Sequence, residues 1–143
     1  MKKPGTKTVL VIEDEAEIRK FACRVLELEG YRVLDAGDGD RGLALLRESA
    51  VDLVLLDLRL PVRDGWSVLA HLKSEPEMAT VPVIIFTATA GRSQHERARR
   101  LGAAGYLVKP LSAGSLKRAV SAITYPDKGG KRDIRESAHY RRR

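Results

Sequence analysis

The chain contains few of the features that mark disulfide-bonded or membrane-spanning proteins. It has a single cysteine, Cys23, which cannot form an internal disulfide and which we interpret as a small buried core residue. No apolar run reaches the roughly 18 residues that a membrane helix needs. The apolar stretch after the basic N-terminus ends early, at Glu13, so no signal peptide is indicated. We therefore expect a cytoplasmic protein without a membrane segment.

Aromatic residues are also scarce, at 5% of the sequence, although the net charge of +7 would suit a nucleic-acid-binding protein. The excess charge lies at the ends: Lys2, Lys3 and Lys7 contribute +3, and residues 126–143 hold seven Lys and Arg against three Asp and Glu. Residues 8–125 hold sixteen of each sign. Because no aromatic residues alternate with the basic ones, we expect no dedicated nucleic-acid-binding domain.

One domain accounts for most of the chain. With 143 residues and 43% hydrophobic content, the chain can bury a single core and leaves no room for a second domain. We assign residues 1–7 to a flexible basic N-terminus and residues 8–125 to the domain. Apolar periodicity ends at Tyr125, and a proline and a glycine pair follow, so we interpret residues 126–143 as a disordered tail or the stump of a linker.

Short apolar runs alternate with amphipathic segments along the domain. The runs are residues 8–12, 31–36, 51–57, 81–88 and 105–109. Most are continuous, as expected for parallel strands covered by helices on both faces. The segments between them carry apolar residues at helical spacing, as in Leu116, Ala119 and Val120. The pattern predicts an α/β fold, a three-layer sandwich of five strands and five helices.

A glycine motif of the form G-x-G-x-x-G, with Gly37, Gly39 and Gly42, follows the second run. In dinucleotide-binding folds such a motif follows the first strand and contacts a pyrophosphate. Here it follows the second strand, and Asp38 and Asp40 would repel a pyrophosphate. We therefore expect no dinucleotide and interpret the motif as a turn before a helix that Asp40 caps.

Capping signals predict where two later helices begin. Asp64 precedes the apolar pattern of the third helix. Ser93 and Glu96 form a capping box before the fourth helix. We expect each of these helices to begin directly after its capping residue.

Polar side chains stand at the predicted carboxyl ends of four strands, where open parallel sheets place their functional groups. They are Glu13, Asp14 and Glu15 after the first strand, Asp57 after the third, Thr87 at the fourth and Lys109 at the fifth. Two carboxylates about 5 Å apart repel by roughly 3 kcal/mol at an effective dielectric near 20, so the cluster needs a cation. Oxygen ligands from Asp14, Asp57 and a nearby backbone carbonyl would suit Mg²⁺.

Asp57 is the candidate nucleophile of this cluster. A carboxylate beside a metal ion, an ammonium group and a hydroxyl can attack phosphorus and form an aspartyl phosphate. Lys109 and Thr87 would then hold the remaining phosphoryl oxygens. Taken singly, Asp57 is more simply a helix cap or a loop residue, and Thr87 a hydroxyl bonded to backbone. Their combination at the strand ends favours the phosphoacceptor role.

With these residues in this order, the sequence resembles the receiver domain of two-component response regulators over residues 8–125. The segments that carry the resemblance are IEDE with Glu13 and Asp14, LLDLRLPVRDG with Asp57, FTA with Thr87, and GYLVKP with Tyr106 and Lys109. The resemblance implies a flavodoxin-like fold with strand order 2-1-3-4-5 and a cis Lys109–Pro110 bond. It also implies a Mg²⁺ site formed by Glu13, Asp14, Asp57 and the backbone carbonyl of Arg59. A sensor histidine kinase or phosphotransfer protein would phosphorylate Asp57, and the protein would signal rather than act as an enzyme.

A phosphoryl group on Asp57 is expected to operate a switch. It would draw the Thr87 hydroxyl inward and leave space into which the Tyr106 ring turns. The surface that registers the change would be the arginine-rich face between Ser93 and Ile123, which suits an acidic downstream target or a self-dimer. Simple packing is the alternative for Tyr106, and a solvated helix surface is the alternative for the arginines.

Two other functions for the acidic cluster remain open from the sequence alone. One is a receiver-like scaffold that binds partners without phosphorylation; such proteins usually lack an acid or the lysine, and this chain has both. The other is a haloacid-dehalogenase-like phosphatase, which would carry a second aspartate where Arg59 stands. Arg59 itself is long enough to reach over the site and alter the lifetime of the phosphoryl group. His71, whose surroundings faintly resemble those of a phosphotransfer histidine, is interpreted as structural.

Overall fold

A computed structural model describes residues 5–88 and 91–126, which form five strands and five helices in alternation. The strands are β1 (Thr8–Ile12), β2 (Arg32–Ala36), β3 (Leu53–Leu56), β4 (Val83–Thr87) and β5 (Gly105–Val108). The helices are α1 (Ala16–Leu28), α2 (Gly39–Glu48), α3 (Gly65–Ser74), α4 (Arg92–Arg100) and α5 (Ala113–Thr124). Residues 1–4 of the predicted N-terminal segment and residues 127–143 of the predicted tail lie outside the described residues.

The strands form one parallel sheet in the order β2-β1-β3-β4-β5, which confirms the predicted flavodoxin-like topology. The register of the central strands decides what meets at their carboxyl ends. Ile12 lies opposite Leu56, and Leu56 lies opposite Ile85. Glu13 and Asp57 are the next residues after β1 and β3, so they leave the sheet side by side.

Helices cover both faces of the sheet and bury two apolar clusters. On one face, α2, α3 and α4 pack on the side chains of Val54 and Leu56, and on the other, α1 and α5 pack on Leu53 and Leu55. Successive residues of a strand point to opposite faces, so β3 is buried on both sides. Fully burying one such side chain contributes about 1.5–3 kcal/mol, so the central strands hold the site on a rigid base. None of the helices in the described part of the chain has the length and apolar character needed to cross a bilayer.

Two glycines of the G-x-G-x-x-G motif allow close packing of α2. A side chain on Gly42 would overlap Ile12 of β1, and a Cβ on Gly39 would lie 2.6 Å from Val68 of α3. The helix begins at Gly39, and the side chain of Asp38 accepts a hydrogen bond from Arg41 N at 2.8 Å. The prediction that Asp40 caps this helix is therefore wrong by two residues, because the chain already turns helical at Gly39.

Of the two other predicted caps, one is confirmed and one is wrong. Asp64 caps α3, and its Oδ1 accepts a hydrogen bond from Ser67 N at 2.9 Å. The capping box at Ser93 does not form, because α4 begins two residues earlier than predicted and its N-cap is Gly91, which offers no side chain. Glu96 pairs instead with Arg99, with 2.9 Å between Oε1 and Nη2.

Cys23 is only half-buried, so the expectation of a fully buried core residue is wrong. It lies on α1 against the cluster shared with α5. Burial, with smaller contributions from the charges of Asp35 and Glu27, raises the pKa of this thiol to about 11. A thiol with this pKa is unreactive near neutral pH.

Candidate functional site

Three carboxylates meet at the carboxyl ends of β1 and β3. Glu13 is fully buried and Asp57 is 3% exposed, whereas Asp14 is exposed. One ligand oxygen from each lies within 4.8 Å of the others. Backbone hydrogen bonds of the sheet continue into the site, since Glu13 N donates to Ala36 O and Asp57 N donates to Ile12 O, both at 3.0 Å. The sheet itself therefore fixes the two buried acids in register.

Lys109 supplies a positive charge between the two buried acids. Its Nζ lies 2.5 Å from Glu13 Oε1 and 3.1 Å from Asp57 Oδ2. Its backbone N donates to Thr87 O at 2.8 Å, which extends the pairing of β4 and β5 by one residue. The Lys109–Pro110 peptide bond is cis, as the resemblance implied.

Burial and pairing shift the pKa values of this pair. Burial alone would lower the pKa of Lys109, but the hydrogen bond to Glu13 and the charge of Asp57 outweigh it and raise that pKa, so Lys109 is a cation. Burial raises the pKa of Glu13, against the opposing effect of the hydrogen bond from Lys109. With all groups ionised, three carboxylates face one ammonium group. The cluster then keeps a formal charge of −2, found by adding one positive to three negative charges.

The carboxylates differ in how many of their oxygens are already engaged. Glu13 is engaged on both, because Oε1 bonds Lys109 and Oε2 accepts from Glu15 N at 2.9 Å. Asp57 Oδ1 accepts from Arg59 N at 3.1 Å, and its Oδ2 bonds Lys109. The exposed Asp14 carboxylate accepts no hydrogen bond from another described residue. Asp14 is therefore the acid most available to a cation.

Thr87 and Tyr106 lie on the neighbouring strands β4 and β5. Thr87 is fully buried, and its hydroxyl has no hydrogen-bond partner within residues 5–88 and 91–126. A buried hydroxyl without a partner costs about 1–3 kcal/mol, so an incoming acceptor oxygen would be favourable there. Tyr106 lies opposite Ile85, whose side chain shares a sheet face with Thr87. Tyr106 is 3% exposed, and its ring centroid is 4.7 Å from that of His95 on α4.

The loop between β3 and α3 folds back onto Asp57. Gly65 N donates to Leu58 O at 2.9 Å, and a side chain on Gly65 would overlap the carbonyl of Asp57. Within the loop Val62 has a positive φ of 69°, and Arg63 N donates to Pro61 O at 2.6 Å. Residues 61–63 therefore form a γ-turn of the rare, strained type with a positive φ at its central residue.

Arg63, which no sequence pattern singled out, ties this loop to two helices through its side chain. It lies 3.0 Å from Ser67 Oγ, 3.3 Å from Asp40 Oδ1 and 3.1 Å from His71 Nδ1. His71 in turn lies 2.7 Å from Glu75, so it belongs to a surface network. No local pattern reveals Arg63, because its partner on α2 is far away in sequence.

Comparisons of sequence agree with this architecture. A profile of the response regulator receiver domain matches residues 9–121. The phosphate regulon transcriptional regulatory protein PhoB of Escherichia coli strain K12 is 37% identical over 117 residues, which cover 82% of this chain and 51% of PhoB. The transcriptional regulatory protein PdtaR of Mycobacterium tuberculosis strain H37Rv is 38% identical over 115 residues, which cover 80% of this chain and 55% of PdtaR. The chain thus spans about half the length of the curated relatives it matches.

Solved structures share the fold. The receiver domain of the Francisella response regulator 1452 superposes with a TM-score of 0.79 at 28% identity, and the match covers 86% of this chain and 100% of that domain. The chemotaxis response regulator CheY4 of Vibrio cholerae gives a TM-score of 0.78 at 24% identity, over 82% and 98% of the two chains, and supports the fold alone. The profile match and the sequence identity to the curated relatives show the family as well as the fold. This chain belongs to the receiver domain family of two-component response regulators, and receiver domains are signalling domains.

Proposed function

We propose that a sensor histidine kinase or a phosphotransfer protein phosphorylates Asp57 in a Mg²⁺-dependent reaction, and that the phosphoryl group switches a partner-binding face. The observation that carries the proposal is the pairing of Asp57 with Lys109, together with a buried Thr87 hydroxyl that finds no partner among the described residues. Asp57 Oδ2 lies 3.1 Å from the ammonium group, and the Thr87 hydroxyl lacks an acceptor among the described residues.

The chemistry assigned to Asp57 is nucleophilic substitution at phosphorus. A carboxylate oxygen forms the new bond while the bond from phosphorus to the donor's histidine nitrogen breaks. Lys109 holds the carboxylate in place and offsets the negative charge that gathers on the phosphoryl oxygens. Burial of Asp57 strengthens this interaction, because the ammonium group acts in a medium of low dielectric.

The donor set fits a Mg²⁺ ion. The three carboxylates offer only oxygen ligands and carry an excess negative charge, which a hard divalent cation would neutralise. Asp14 and Asp57 are assigned as direct ligands, together with the predicted backbone carbonyl of Arg59. Glu13 is kept as a further predicted ligand; both of its oxygens, like both of Asp57, already accept hydrogen bonds, so Asp14 would be the first carboxylate available to the ion. A bound Mg²⁺ would offset charge on the transferring phosphoryl group.

The switch begins at Thr87. Donating its hydroxyl to a phosphoryl oxygen would give this buried group the partner that no described residue supplies, and would change the packing on the sheet face that Tyr106 shares. The Tyr106 ring contacts His95 of α4, so a rearrangement there would reach the surface between Ser93 and Ile123. An acidic downstream target or a second copy of the chain would read the change.

A phosphate-affinity gel tests the phosphoacceptor. With acetyl phosphate and Mg²⁺ we expect a shifted band for wild type, no shift for Asp57→Asn, and none for wild type in EDTA. Glu27→Gln, which removes an exposed carboxylate on α1, is the matched control and should shift like wild type. Full labelling of Asp57→Asn, with no other acid taking over, would refute the assignment.

Beryllofluoride, which mimics a phosphoryl group, tests the switch separately. Association with a cognate kinase, a target or a second copy is measured with and without it in wild type, Thr87→Ala and Tyr106→Ala. We expect both variants to lose most of the response. A wild-type response in both would show that the coupling of Thr87 to Tyr106 is wrong, even with Asp57 as acceptor.

A further inference from the structure

A groove of about 600 Å³ lies between α3 and α4, away from the acidic cluster. Residues from both helices line this α3–α4 groove: Trp66, Ser67 and Ala70 on one wall, and Arg97, Arg100 and Leu101 on the other. Part of the lining is apolar, since Leu101 is 37% exposed and Trp66 is only half-buried. The groove therefore offers an apolar floor beside two guanidinium groups.

The groove keeps an excess of positive charge within the described part of the chain. The single acid of α4, Glu96, pairs with Arg99, and neither Arg97 nor Arg100 has an ion-pair partner among the described residues. One acid, Asp64, also lines the groove and caps α3 through its Oδ1, and its negative charge offsets one of the two arginines, which leaves a net charge of +1. An acidic occupant would meet unpaired cations rather than existing salt bridges.

Arg97 is already held in place for such an occupant. Its guanidinium carbon lies 4.1 Å from the centroid of the Trp66 ring. A planar guanidinium can stack on an aromatic ring and still present its N–H edge to a carboxylate. Because the stacked side chain has lost part of its freedom beforehand, pairing it with an acid costs less entropy.

We propose that the α3–α4 groove is a docking site for an acidic segment of a partner polypeptide. Its carboxylates pair with Arg97 and Arg100, and its apolar side chains rest on Trp66 and Leu101. The chain's own residues 126–143 do not fit this role, because they hold seven basic against three acidic residues.

The position of the groove gives it access to the proposed phosphorylation site, although docking itself does not depend on that proposal. α3 follows the loop that leaves β3 after Asp57, and α4 is the next helix after β4, which ends at Thr87. Each wall is therefore connected to a strand that carries a site residue, β3 with Asp57 and β4 with Thr87. This surface shares the arginines of α4 with the proposed switch face, and it adds the α3 wall that the switch face lacks.

Trp66, the single tryptophan of the chain, reports occupancy directly. A synthetic ten-residue peptide with leucine at every third position and glutamate elsewhere is titrated into the full chain, and affinities are also measured by calorimetry. We expect saturable, sub-millimolar binding that changes Trp66 fluorescence. The double variant Arg97→Gln with Arg100→Gln should weaken binding at least fivefold, since each exposed ion pair contributes modestly.

Matched controls separate the groove from general charge effects. Arg24→Gln with Arg32→Gln removes the same charge from exposed positions on α1 and the edge strand β2, and should bind like wild type. The peptide with glutamine in place of glutamate should not bind. Failure of the glutamate peptide to bind, or equal affinity in the groove variant, would overturn the proposal. So would equal or tighter binding of a DNA oligonucleotide of the same charge, or self-association that only the groove variant abolishes.

Discussion

Replacing Val62 by glycine should stabilise the protein, although the change removes a side chain. Val62 has a φ of 69°, a conformation in which its β-branched side chain crowds the backbone. The residue is 89% exposed, so its side chain contributes almost no buried area. The position thus carries the steric cost of a side chain without the benefit of packing.

The expected gain follows from two opposing contributions. An L-residue in the left-handed region costs roughly 1–2 kcal/mol, and Val62→Gly removes most of that cost. Glycine also gives the unfolded chain more freedom, which costs about 0.5–1 kcal/mol. The net increase in the free energy of unfolding is therefore about 0.5–1 kcal/mol, or about 2–4 °C in melting temperature for a domain of this size.

Urea unfolding measures this gain as a higher midpoint at an unchanged m-value. Val108→Gly is the matched control, because Val108 is 41% exposed in β5 and is not among the residues with positive φ. There we expect a loss of about 0.5–1 kcal/mol. If Val62→Gly lowered the midpoint as Val108→Gly does, the turn at Val62 would not be strained and the reasoning would fail.

Three further predictions follow from buried contacts. Gly65→Ala places a Cβ against the carbonyl at the end of β3, so it should lower the unfolding free energy by about 2 kcal/mol or more and slow acetyl phosphate labelling. Gly114→Ala, whose Cβ meets only a flexible arginine end, should do neither. Thr124→Val removes the buried 2.8 Å hydrogen bond to Tyr31 and should lower the free energy of unfolding by about 1–3 kcal/mol in urea. Since Tyr31→Phe removes the same bond, the double variant should lose less than the sum of the two single losses, and a loss equal to that sum would contradict a shared bond. The Cys23 pKa of about 11 predicts that iodoacetamide alkylates the folded protein at half its maximal rate near that pH, and the unfolded protein near pH 9.0. Because the unfolded thiol loses its proton first, the free energy of unfolding should fall as the pH rises between these two values. Half-maximal alkylation of the folded protein near pH 9.0 would contradict this.

Hydrophobic runs were sufficient to predict the number and kind of elements. β1 was predicted with its exact bounds, because all five residues are buried and the flanking residues are polar. The apolar run at residues 81–88 is longer than β4. Val81 packs against the core ahead of the strand, and the strand itself begins at Val83, after Pro82. Strand order did not follow from the runs and needed the family resemblance.

Local signals failed where a tertiary contact decides the conformation. Asp38 rather than Asp40 caps α2, because the helix already begins at Gly39, where the chain packs so closely on α3 that a Cβ would overlap Val68. Residues that act through distant partners are equally hidden from the sequence. Arg63 illustrates this, since one of its three side-chain partners, Asp40, lies on α2.

Two unfavourable features flank Asp57, and they differ in what compensates them. The positive φ of Val62 is a cost of the fold itself, which the three side-chain contacts of Arg63 and the tight approach of Gly65 offset by fixing the loop on two helices. The partnerless hydroxyl of Thr87 is offset by nothing in the described part of the chain. A ligand that brings an acceptor oxygen would recover that cost only in the bound state. The loop geometry is therefore set before any ligand arrives, whereas Thr87 gives the bound state a differential stabilisation, which is what shifting a conformational equilibrium requires.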